Sequence, residues 1–318
     1  MPSPLGRVTV DAVSDLFLDH VLIAVNDLDK AGSAYSECLG FTVTPRGIHP
    51  DRGTSNRLIV FHSEYLELIA AQDACRAQQN RPDLVSFLRR RDGLFMFALG
   101  TRDINRTVES LRQRGLNVQL PTAGSRMSDS DMDGYSWRSS AVDPALTPGS
   151  ATFLIQHDQP IAERYREPAN PTQHRNGASG LTCLTLAVND AHAAALRWRQ
   201  LFELPGGPAI SVEHALGEVT RATVPLANCE MEFVSPQGPG LLHDILSSSG
   251  EYPVMMSIAV HDLGDALEYL DSRLEGELKI VESGSTRSCL IGPASANGLY
   301  LLLVDEGRGQ SSGTRSCR

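Results

Sequence analysis

Residues 18–27 read LDHVLIAVND, and the last four of these letters recur unchanged at residues 187–190. The repeated tetrapeptide AVND begins at position 24 in the first copy and at position 187 in the second. The apolar residues before AVND predict a strand, and the aspartate that ends it is a typical helix N-cap. The chain is therefore predicted to contain a duplicated β/α unit. One position differs in its chemistry, because His20 of the first copy is matched by Cys183 of the second.

The duplication extends past this tetrapeptide. His49 and Glu67 are separated by the same interval as His214 and Glu232. His214 and Glu232 lie two positions further along the chain than the AVND repeat alone would place them. A two-residue insertion between AVND and this pair in the second copy therefore brings the whole stretch into register. A polar or titratable residue that occurs in both copies, or in only one of them, is therefore a candidate site residue.

Length and composition are those of a globular protein. The chain has 318 residues, of which 41% are hydrophobic and 21% charged, enough for two domains that each bury a core. A net charge of −10 argues against nucleic acid and anionic membranes as partners. No apolar run approaches the roughly 20 residues of a transmembrane helix, and residues 1–16 lack a signal-peptide pattern. The six cysteines show no close pairing, so we expect reduced thiols and a cytoplasmic protein.

Helix and strand patterns divide the chain into four similar units with the order β-α-β-β-β. We place these units at residues 16–72, 92–158, 180–236 and 252–306. After the helix, strands are predicted at 41–45, 56–61 and 65–70 in the first unit, and at 117–120, 135–142 and 151–156 in the second. A polar stretch at 123–134 is predicted to be a surface loop.

The four units group into two halves. Units one and two form an N-terminal half at 16–158, and units three and four form a C-terminal half at 180–306. The segment 159–179 is rich in Pro, Asn, Gln and Arg, and it is predicted to be a linker. The tail 307–318 has nothing to bury and is predicted to be disordered.

Strand parity selects two polar residues in the first unit. Side chains alternate between the faces of a strand, so His20 lies opposite Val21 and Ile23, which form the face expected to pack under the helix. Glu67 lies on an equally apolar strand, where a carboxylate is costly to bury without a partner. We therefore expect His20 and Glu67 to converge on the inner face. A His–Glu hydrogen bond that merely fills the interior is the alternative.

In this order and spacing, the motifs resemble the vicinal oxygen chelate superfamily, and within it the proteins with a glyoxalase-like domain. The resemblance is carried by LDHV and AVNDLD within residues 18–29, GF at 40–41, GIHP at 47–50, GTSNRL at 53–58, YLELI at 65–69 and QHRNGA at 173–178. It is strongest over residues 16–72. It implies an α+β fold in which four βαβββ modules pair into two open β-cups, as in glyoxalases and extradiol dioxygenases.

The resemblance also implies a metal site. Enzymes of this superfamily bind a divalent ion in the cup through side chains on the first and last strands of their modules, and the ion takes two neighbouring oxygens of the substrate. Here His20 and Glu67 are the implied ligands, and the ion is Zn, Mn, Fe or Ni. Both residue types suit such ions.

A third ligand is less evident. The second unit offers Leu94 and Leu154 where the resemblance calls for residues like His20 and Glu67. Gln156 lies two positions beyond Leu154, on the same face of its strand, so we predict Gln156 as the third ligand. His49 is the alternative.

The glycine-rich loop around His49 is expected at the rim of the cup. Thr54 and Asn56 are predicted to bind substrate there through their polar groups, or else to bond their own backbone in a turn. His49 is a candidate general acid or base because histidine titrates near neutrality. Glu67 is the catalytic base if it is not a ligand.

Three more residues are predicted to bind substrate. Arg126 flanks the long loop of the second unit and could pair with a carboxylate, with Trp137 as an apolar wall. The alternative places Arg126 in solvent and Trp137 in the core. His174, in the linker, is predicted to close over the first cup or to fasten the two halves together.

The leading hypothesis is a metal-dependent isomerase or lyase that acts on a small molecule with vicinal oxygens. The missing third ligand favours a second hypothesis, a metal-free binding or resistance protein. The third is an extradiol-type dioxygenase, whose relatives hold iron in the second half through two histidines and one glutamate, a pattern that this chain lacks. A monomer or a homodimer is expected.

Overall fold

The computed structural model describes residues 16–128, 135–165, 168–274, 276–283 and 286–306. The predicted tail at 307–318 and the distal part of the predicted loop, 129–134, lie outside these residues.

The first eight strands form a closed barrel. Their bounds are β1 (Phe17–Ala24), β2 (Gly47–His49), β3 (Thr54–Val60), β4 (Tyr65–Ala71), β5 (Gly93–Gly100), β6 (Thr122–Ser128), β7 (Tyr135–Ala141) and β8 (Thr152–His157). Their order around the barrel is β1-β4-β3-β2-β6-β7-β8-β5, and β5 returns to pair with β1. The predicted cup is therefore closed, because β2 of the first unit pairs with β6 of the second.

The other eight strands form an open sheet. They are β9 (Ala178–Ala187), β10 (Ile210–His214), β11 (Gly217–Pro225), β12 (Glu230–Pro236), β13 (Tyr252–Val260), β14 (Leu278–Ser283), β15 (Thr286–Ile291) and β16 (Tyr300–Asp305). The order is β10-β11-β12-β9-β13-β16-β15-β14. The α+β class and the pairing of two modules in each sheet are confirmed.

The helices are α1 (Leu28–Ser33), α2 (Ala74–Asn80), α3 (Pro82–Leu88), α4 (Ile104–Gln113), α5 (Ile161–Arg164), α6 (Ala191–Phe202), α7 (Leu241–Ser249) and α8 (Leu263–Asp271). A π-helical segment, Ala34–Cys38, continues α1, and Pro144–Leu146 forms a 3₁₀ turn. The unit helices α1, α4, α6 and α8 each follow an aspartate whose carboxylate accepts main-chain N–H groups of the first turn: Asp27, Asp103, Asp190 and Asp262. No helix among the described residues has the length and apolar character needed to cross a bilayer.

Strand register confirms the duplication. In the first half, Leu22 of β1 pairs with Glu67 of β4. In the second half, Thr185 of β9 pairs with Glu232 of β12. Thr185 follows Leu22 by the same interval that separates the two AVND copies, and Glu232 follows Glu67 by two positions more, as the sequence anchors require.

Two of the predicted strands are wrong. Residues 41–45 do not form a strand. The N–H of Leu58 donates to the Thr44 hydroxyl rather than to a main-chain carbonyl, and only the N–H of Thr44 bonds Leu58 as a strand neighbour would. The strand forms at β2 instead. Residues 117–120 make only an isolated bridge through Val118, whereas β6 occupies part of the predicted loop. The helices α2 and α3, inserted between the first two units, were not predicted.

The outer faces of the two sheets share one core. Val21 and Ile23, on the predicted outer face of β1, belong to the same buried cluster as Trp198 of α6. The Trp198 ring stacks on Phe97 of β5 at a centroid distance of 5.6 Å. Burial of this apolar area is the main stabilising contribution that joins the two halves.

Candidate metal and substrate site

The interior of the first barrel holds the pocket of interest. Its charged and titratable lining residues are His20, His49, Arg52, Glu67, Arg81 and His157. Aromatic side chains, including Tyr65 and Trp137, complete the wall. The pocket is thus a polar cluster enclosed by apolar rings, which is the usual composition of a small-molecule site.

His20 and Glu67 meet inside this pocket, as strand parity predicts. They project from the adjacent parallel strands β1 and β4, and His20 Nε2 lies 3.5 Å from Glu67 Oε2. Both side chains are buried. The pair stands within reach of a single bound atom.

A β-bulge brings a further residue, Asp19, to the two imidazoles His20 and His157. The β1–β5 register shifts between Leu18 and His20, so Asp19 has no partner in the ladder. A bulge re-aims a side chain, and Asp19 Oδ1 lies 2.7 Å from His20 Nδ1 and 3.1 Å from His157 Nε2. The residue types around Asp19 in the sequence give no sign of this irregularity.

Asp19 sets the tautomers of both imidazoles. Burial acts to raise the pKa of the Asp19 carboxyl, but hydrogen bonds from His157 and His20 hold it well below its usual value. An ionised carboxylate only accepts hydrogen bonds. His20 therefore donates through Nδ1, and its Nε2 faces Glu67 Oε2. His157 donates through Nε2, and its Nδ1 is buried without a hydrogen-bond partner in the described part of the chain.

Gln156 does not face the pocket, which corrects the prediction of an inward position. Its Oε1 accepts the N–H of Ile104 at 3.0 Å, and its Nε2 donates to the carbonyl of Arg102 at 2.8 Å, so it binds the start of α4 on the outside. The next residue, His157, lines the pocket instead.

The error comes from aligning the two units out of step, by two residues at Leu94 and by one residue at Leu154. Ala98 pairs with Phe153 in the second unit where Leu22 pairs with Glu67 in the first, so the counterpart of Glu67 is Phe153. Counting back seven residues from the caps Asp27 and Asp103 gives Met96 as the counterpart of His20. The second unit thus contributes a thioether and a phenyl ring at these places.

A chain of hydrogen bonds orients Glu67. Asn56 Nδ2 donates to Glu67 Oε1 at 2.7 Å, and Arg126 Nε donates to Asn56 Oδ1 at 2.9 Å. The Arg126 guanidinium therefore determines which way the Asn56 amide points. Arg126 is buried against Gly47, where a Cβ would lie 2.1 Å from its Nε, so β2 needs a glycine at this position.

His49 lies on the other side of the Glu67 carboxylate. Its Nδ1 is 2.9 Å from Thr54 Oγ1, and its Nε2 is 3.9 Å from Glu67 Oε1. Asn56 Nδ2, which only donates, is 3.5 Å from His49 Nε2, so we place the imidazole hydrogen on Nδ1. Burial lowers the pKa of His49 to about 4. His49 is thus neutral at physiological pH, with the Nε2 lone pair facing the pocket.

The carboxylate of Glu67 stays ionised in this setting. Burial acts to raise its pKa, but the nearby imidazoles of His49 and His20 and the hydrogen bond from Asn56 hold it below the usual value. An anionic oxygen donor is therefore available at neutral pH.

The remaining predicted substrate-binding residues lie in three different places relative to the pocket. Trp137 lines the pocket and packs edge-on to His49 at a centroid distance of 6.0 Å. Thr54 and Arg126 are buried behind the lining, where they hold His49 and Asn56. His174 lies away from the pocket: its Nδ1 accepts the N–H of Thr42 at 3.0 Å.

The environment of His174 predicts a pH effect on stability. Its ring packs edge-on to Phe41 and Phe61, and burial lowers its pKa to about 4. The unfolded chain binds this proton more readily, so stability is lost as pH falls from about 6.5 towards 4. For a partly buried group we expect a loss of about 1 to 2 kcal/mol between pH 7 and pH 5. His174→Asn should lessen that slope in chemical unfolding curves, and an unchanged slope would contradict the assignment.

The corresponding place in the second sheet is occupied by an ion pair. Glu232 accepts a hydrogen bond from Thr185 Oγ1 at 2.7 Å, and Arg221 Nε lies 2.7 Å from its other oxygen. His214 Nε2 is 3.2 Å from the carboxylate. The guanidinium already neutralises Glu232, so this copy offers a cation little attraction.

Two pairs of donor atoms in the first barrel have nearly the spacing of ligands on a divalent cation. Two ligand atoms that each lie about 2.1 Å from a tetrahedral ion are about 3.4 Å apart. The distances from the Glu67 carboxylate to His20 Nε2 and His49 Nε2, 3.5 and 3.9 Å, are close to that spacing. Asp19, His20 and His157 also offer ligand atoms that all lie within 4.8 Å of one another and could hold an ion.

The fold is built from paired βαβββ units, and the first pair encloses a polar pocket. Comparisons with known proteins identify the class of proteins that this fold belongs to. A family model described as "Glyoxalase-like domain" matches residues 18–202. The chain belongs to this glyoxalase-like domain family, within the vicinal oxygen chelate superfamily.

Individual relatives are more distant. A protein of Brassica oleracea var. gemmifera that carries the provisional name lactoylglutathione lyase is 26% identical over 156 residues, which cover 47% of this chain and 53% of that protein. The match therefore spans about half the length of that relative.

Solved structures support the fold. A triple mutant of 4-hydroxymandelate synthase from Streptomyces coelicolor is similar with a TM-score of 0.66, at 14% identity, over 93% of this chain and 94% of that chain. A hypothetical protein from Staphylococcus aureus is similar with a TM-score of 0.63, at 12% identity, over 91% of this chain and 99% of that chain.

Proposed function

We propose that the protein is a divalent-metal-dependent enzyme that catalyses an isomerase- or lyase-type step on a small molecule with two neighbouring oxygen atoms. The observation that carries the proposal is the convergence of His20 Nε2 and Glu67 Oε2, 3.5 Å apart, inside the barrel pocket. Family membership and the naming of one relative as a lyase support the class of reaction.

Of the two possible donor sets, we favour His20, His49 and Glu67. The contacts of Asp19 to His20 and His157, at 2.7 and 3.1 Å, are ordinary hydrogen-bond lengths. A carboxylate that binds the far nitrogen of a ligating histidine is a common outer partner of metal sites. Asp19 is therefore assigned to orienting His20, and the unpartnered Nδ1 of His157 is left to bind substrate or a water molecule.

When bound, the ion supplies Lewis acidity, which polarises a carbonyl or enediolate oxygen of the substrate. The chain's own residues do the rest. His49, neutral at physiological pH, offers Nε2 either to the ion or to a substrate proton. Tyr65 stacks on His20 at 4.5 Å, and Trp137 packs against His49, so two apolar walls exclude water from the reacting atoms.

A metal-free binding or resistance protein is the second candidate. The observation that favours it is the apolar second unit, where Met96 and Phe153 occupy the places of His20 and Glu67. The second unit therefore supplies neither an imidazole nor a carboxylate at these two positions. Likeness to the synthase from Streptomyces concerns the fold alone, so we do not carry its chemistry over. A cytoplasmic location and a monomeric or dimeric state stay predictions.

Metal binding by the full-length protein tests the proposal. After dialysis against a chelator, the wild type is titrated with Zn²⁺ and with Mn²⁺, and bound metal is measured by elemental analysis. We expect one ion per chain in the wild type and none above background in the His20→Ala, Glu67→Ala double variant. A wild type that binds neither ion would leave the metal-free binding protein as the better assignment.

A further inference from the structure

We propose that the ligand of this pocket carries an anionic group, a carboxylate or a phosphate, bound by Arg52 and Arg81. Both guanidinium side chains line the pocket, together with the candidate metal ligands. The inference rests on the proposed function in treating the pocket as the substrate site, and it adds the chemical class of the substrate. The anionic group is separate from the oxygens that an ion would take.

The insertion α2–α3 builds this side of the pocket. Asn80 of α2 donates through Nδ2 to the carbonyl of Asp51 at 2.8 Å, and Arg76 donates through Nη1 to the carbonyl of Pro50 at 2.7 Å. Both bonds clamp the loop that carries Arg52. Gly53 allows the close approach, because its φ is +67° and a Cβ there would lie 2.7 Å from the main-chain nitrogen of Ala77.

Arg81 is positioned by the same insertion. It stands at the junction of α2 and α3, and its guanidinium forms two parallel contacts with Asp83, Nε to Oδ1 and Nη2 to Oδ2, each at 3.1 Å. The Arg81 side chain is only 12% exposed. A rigid guanidinium therefore faces the pocket, with Asp83 on its other side.

Arg52 has no comparable partner. Its guanidinium carbon lies 5.9 Å from the centroid of the Trp137 ring. Among the residues that the structure describes, which exclude 129–134, its side chain makes no hydrogen bond or ion pair. Burial lowers the pKa of Arg52, and the positive charge of Arg81 lowers it further. Two guanidinium groups thus repel each other beside one pocket.

The acidic groups nearby are committed elsewhere. Asp83 pairs with Arg81, while Glu67 is held by Asn56 and flanked by imidazoles. A partly buried positive charge costs free energy unless it is paired. A carboxylate or phosphate would supply the missing partner, because both match the planar fork of arginine.

Anion binding by the full-length protein tests this assignment. Inorganic phosphate and malonate are titrated separately by calorimetry into metal-free and metal-loaded protein. The variants are Arg52→Met, Arg52→Lys and Arg81→Met, and the matched control is Arg89→Met. Arg89 belongs to the same insertion, but its side chain is exposed and bonds Gln78 outside the pocket lining.

We expect the wild type to bind at least one of the two anions. Arg52→Met and Arg81→Met should each weaken binding about tenfold or more, as loss of a charge-assisted hydrogen bond implies. Arg52→Lys should lose less, and Arg89→Met nothing. The anion that binds more tightly shows whether the anionic group of the ligand is a phosphate or a carboxylate.

Two outcomes would overturn the proposal: no binding of either anion by the wild type, or an equal loss in Arg89→Met. The metal-free arm separates this proposal from the metal site. Arginine-dependent anion binding without any metal affinity would refute the proposed function while leaving the anion site standing. Metal binding without anion binding would refute the anion site and leave the proposed function standing.

Discussion

Glu67→Gln is expected to lower the affinity of the protein for Zn²⁺ or Mn²⁺ by about 100-fold or more, since loss of even an outer partner of a metal ligand costs 10- to 100-fold. The substitution removes a carboxylate that lies near both His20 Nε2 and His49 Nε2. Glutamine keeps the shape of the side chain and an oxygen that can accept from Asn56. We therefore expect the free energy of unfolding to change little, so that a loss of metal reports on the site.

The duplicated chain supplies a matched control for this experiment. Glu232 occupies the equivalent strand position but pairs with Arg221. Glu232→Gln should leave metal affinity unchanged and should destabilise the protein, because Arg221 Nε loses its ionised partner while Nη2 keeps its contact with Glu230. Competitive titration with a fluorescent chelator, with thermal unfolding alongside, measures both effects. Equal losses of metal in the two variants would show that the ion does not sit where we place it.

Asp19→Asn is expected to weaken metal binding by about 10- to 100-fold, the usual effect of removing an outer-shell carboxylate. Asp19 accepts hydrogen bonds from His20 Nδ1 and His157 Nε2, and its negative charge makes the His20 imidazole a better donor to a metal ion. Both rings bond the same oxygen, Oδ1, and asparagine keeps an oxygen with two lone pairs there but loses the negative charge. Both hydrogen bonds should therefore weaken, and with them the preference of each ring for its tautomer.

Nitrogen-15 chemical shifts of the two imidazoles report this change directly. In the wild type we expect His20 to carry hydrogen on Nδ1 and His157 on Nε2, and Asp19→Asn should shift the tautomer population of at least one ring towards the other nitrogen. Asp29→Asn is the control, because Asp29 is an exposed carboxylate that pairs with Arg46 and Arg57 outside the barrel. Retention of both tautomers and of full metal affinity in Asp19→Asn would reduce Asp19 to a structural group.

Features that depend on local sequence were predicted correctly. The repeat of AVND indicated the duplication, and each of the four unit helices begins after an aspartate. Alternation along β1 and β4 brought His20 and Glu67 to one face. These predictions succeed because caps and strand parity are set by neighbouring residues, whose spacing along the chain is the same in any fold.

The failures share a physical cause. Residues 41–45 have the composition of a strand but find no ladder, and β6 forms where a polar loop was predicted because β2 and β7 supply partners on both sides. Gln156 was placed inward through a register that was one residue out of step. Pairing register depends on contacts between distant segments, so neither composition nor parity can reveal it.

The amino-acid sequence by itself determined the four modules, their α+β class and the meeting of one imidazole with one carboxylate in the first half. Tertiary structure alone decided that the first sheet closes, that a bulge turns Asp19 inward, and that His157 takes the place expected of Gln156. It also brought Arg81, from the α2–α3 insertion that was not predicted, to the same pocket as Arg52 of the loop between β2 and β3. The reason is one of range: strand periodicity acts over a few residues, whereas closure, bulges and insertions depend on which distant strands compete for the same hydrogen bonds.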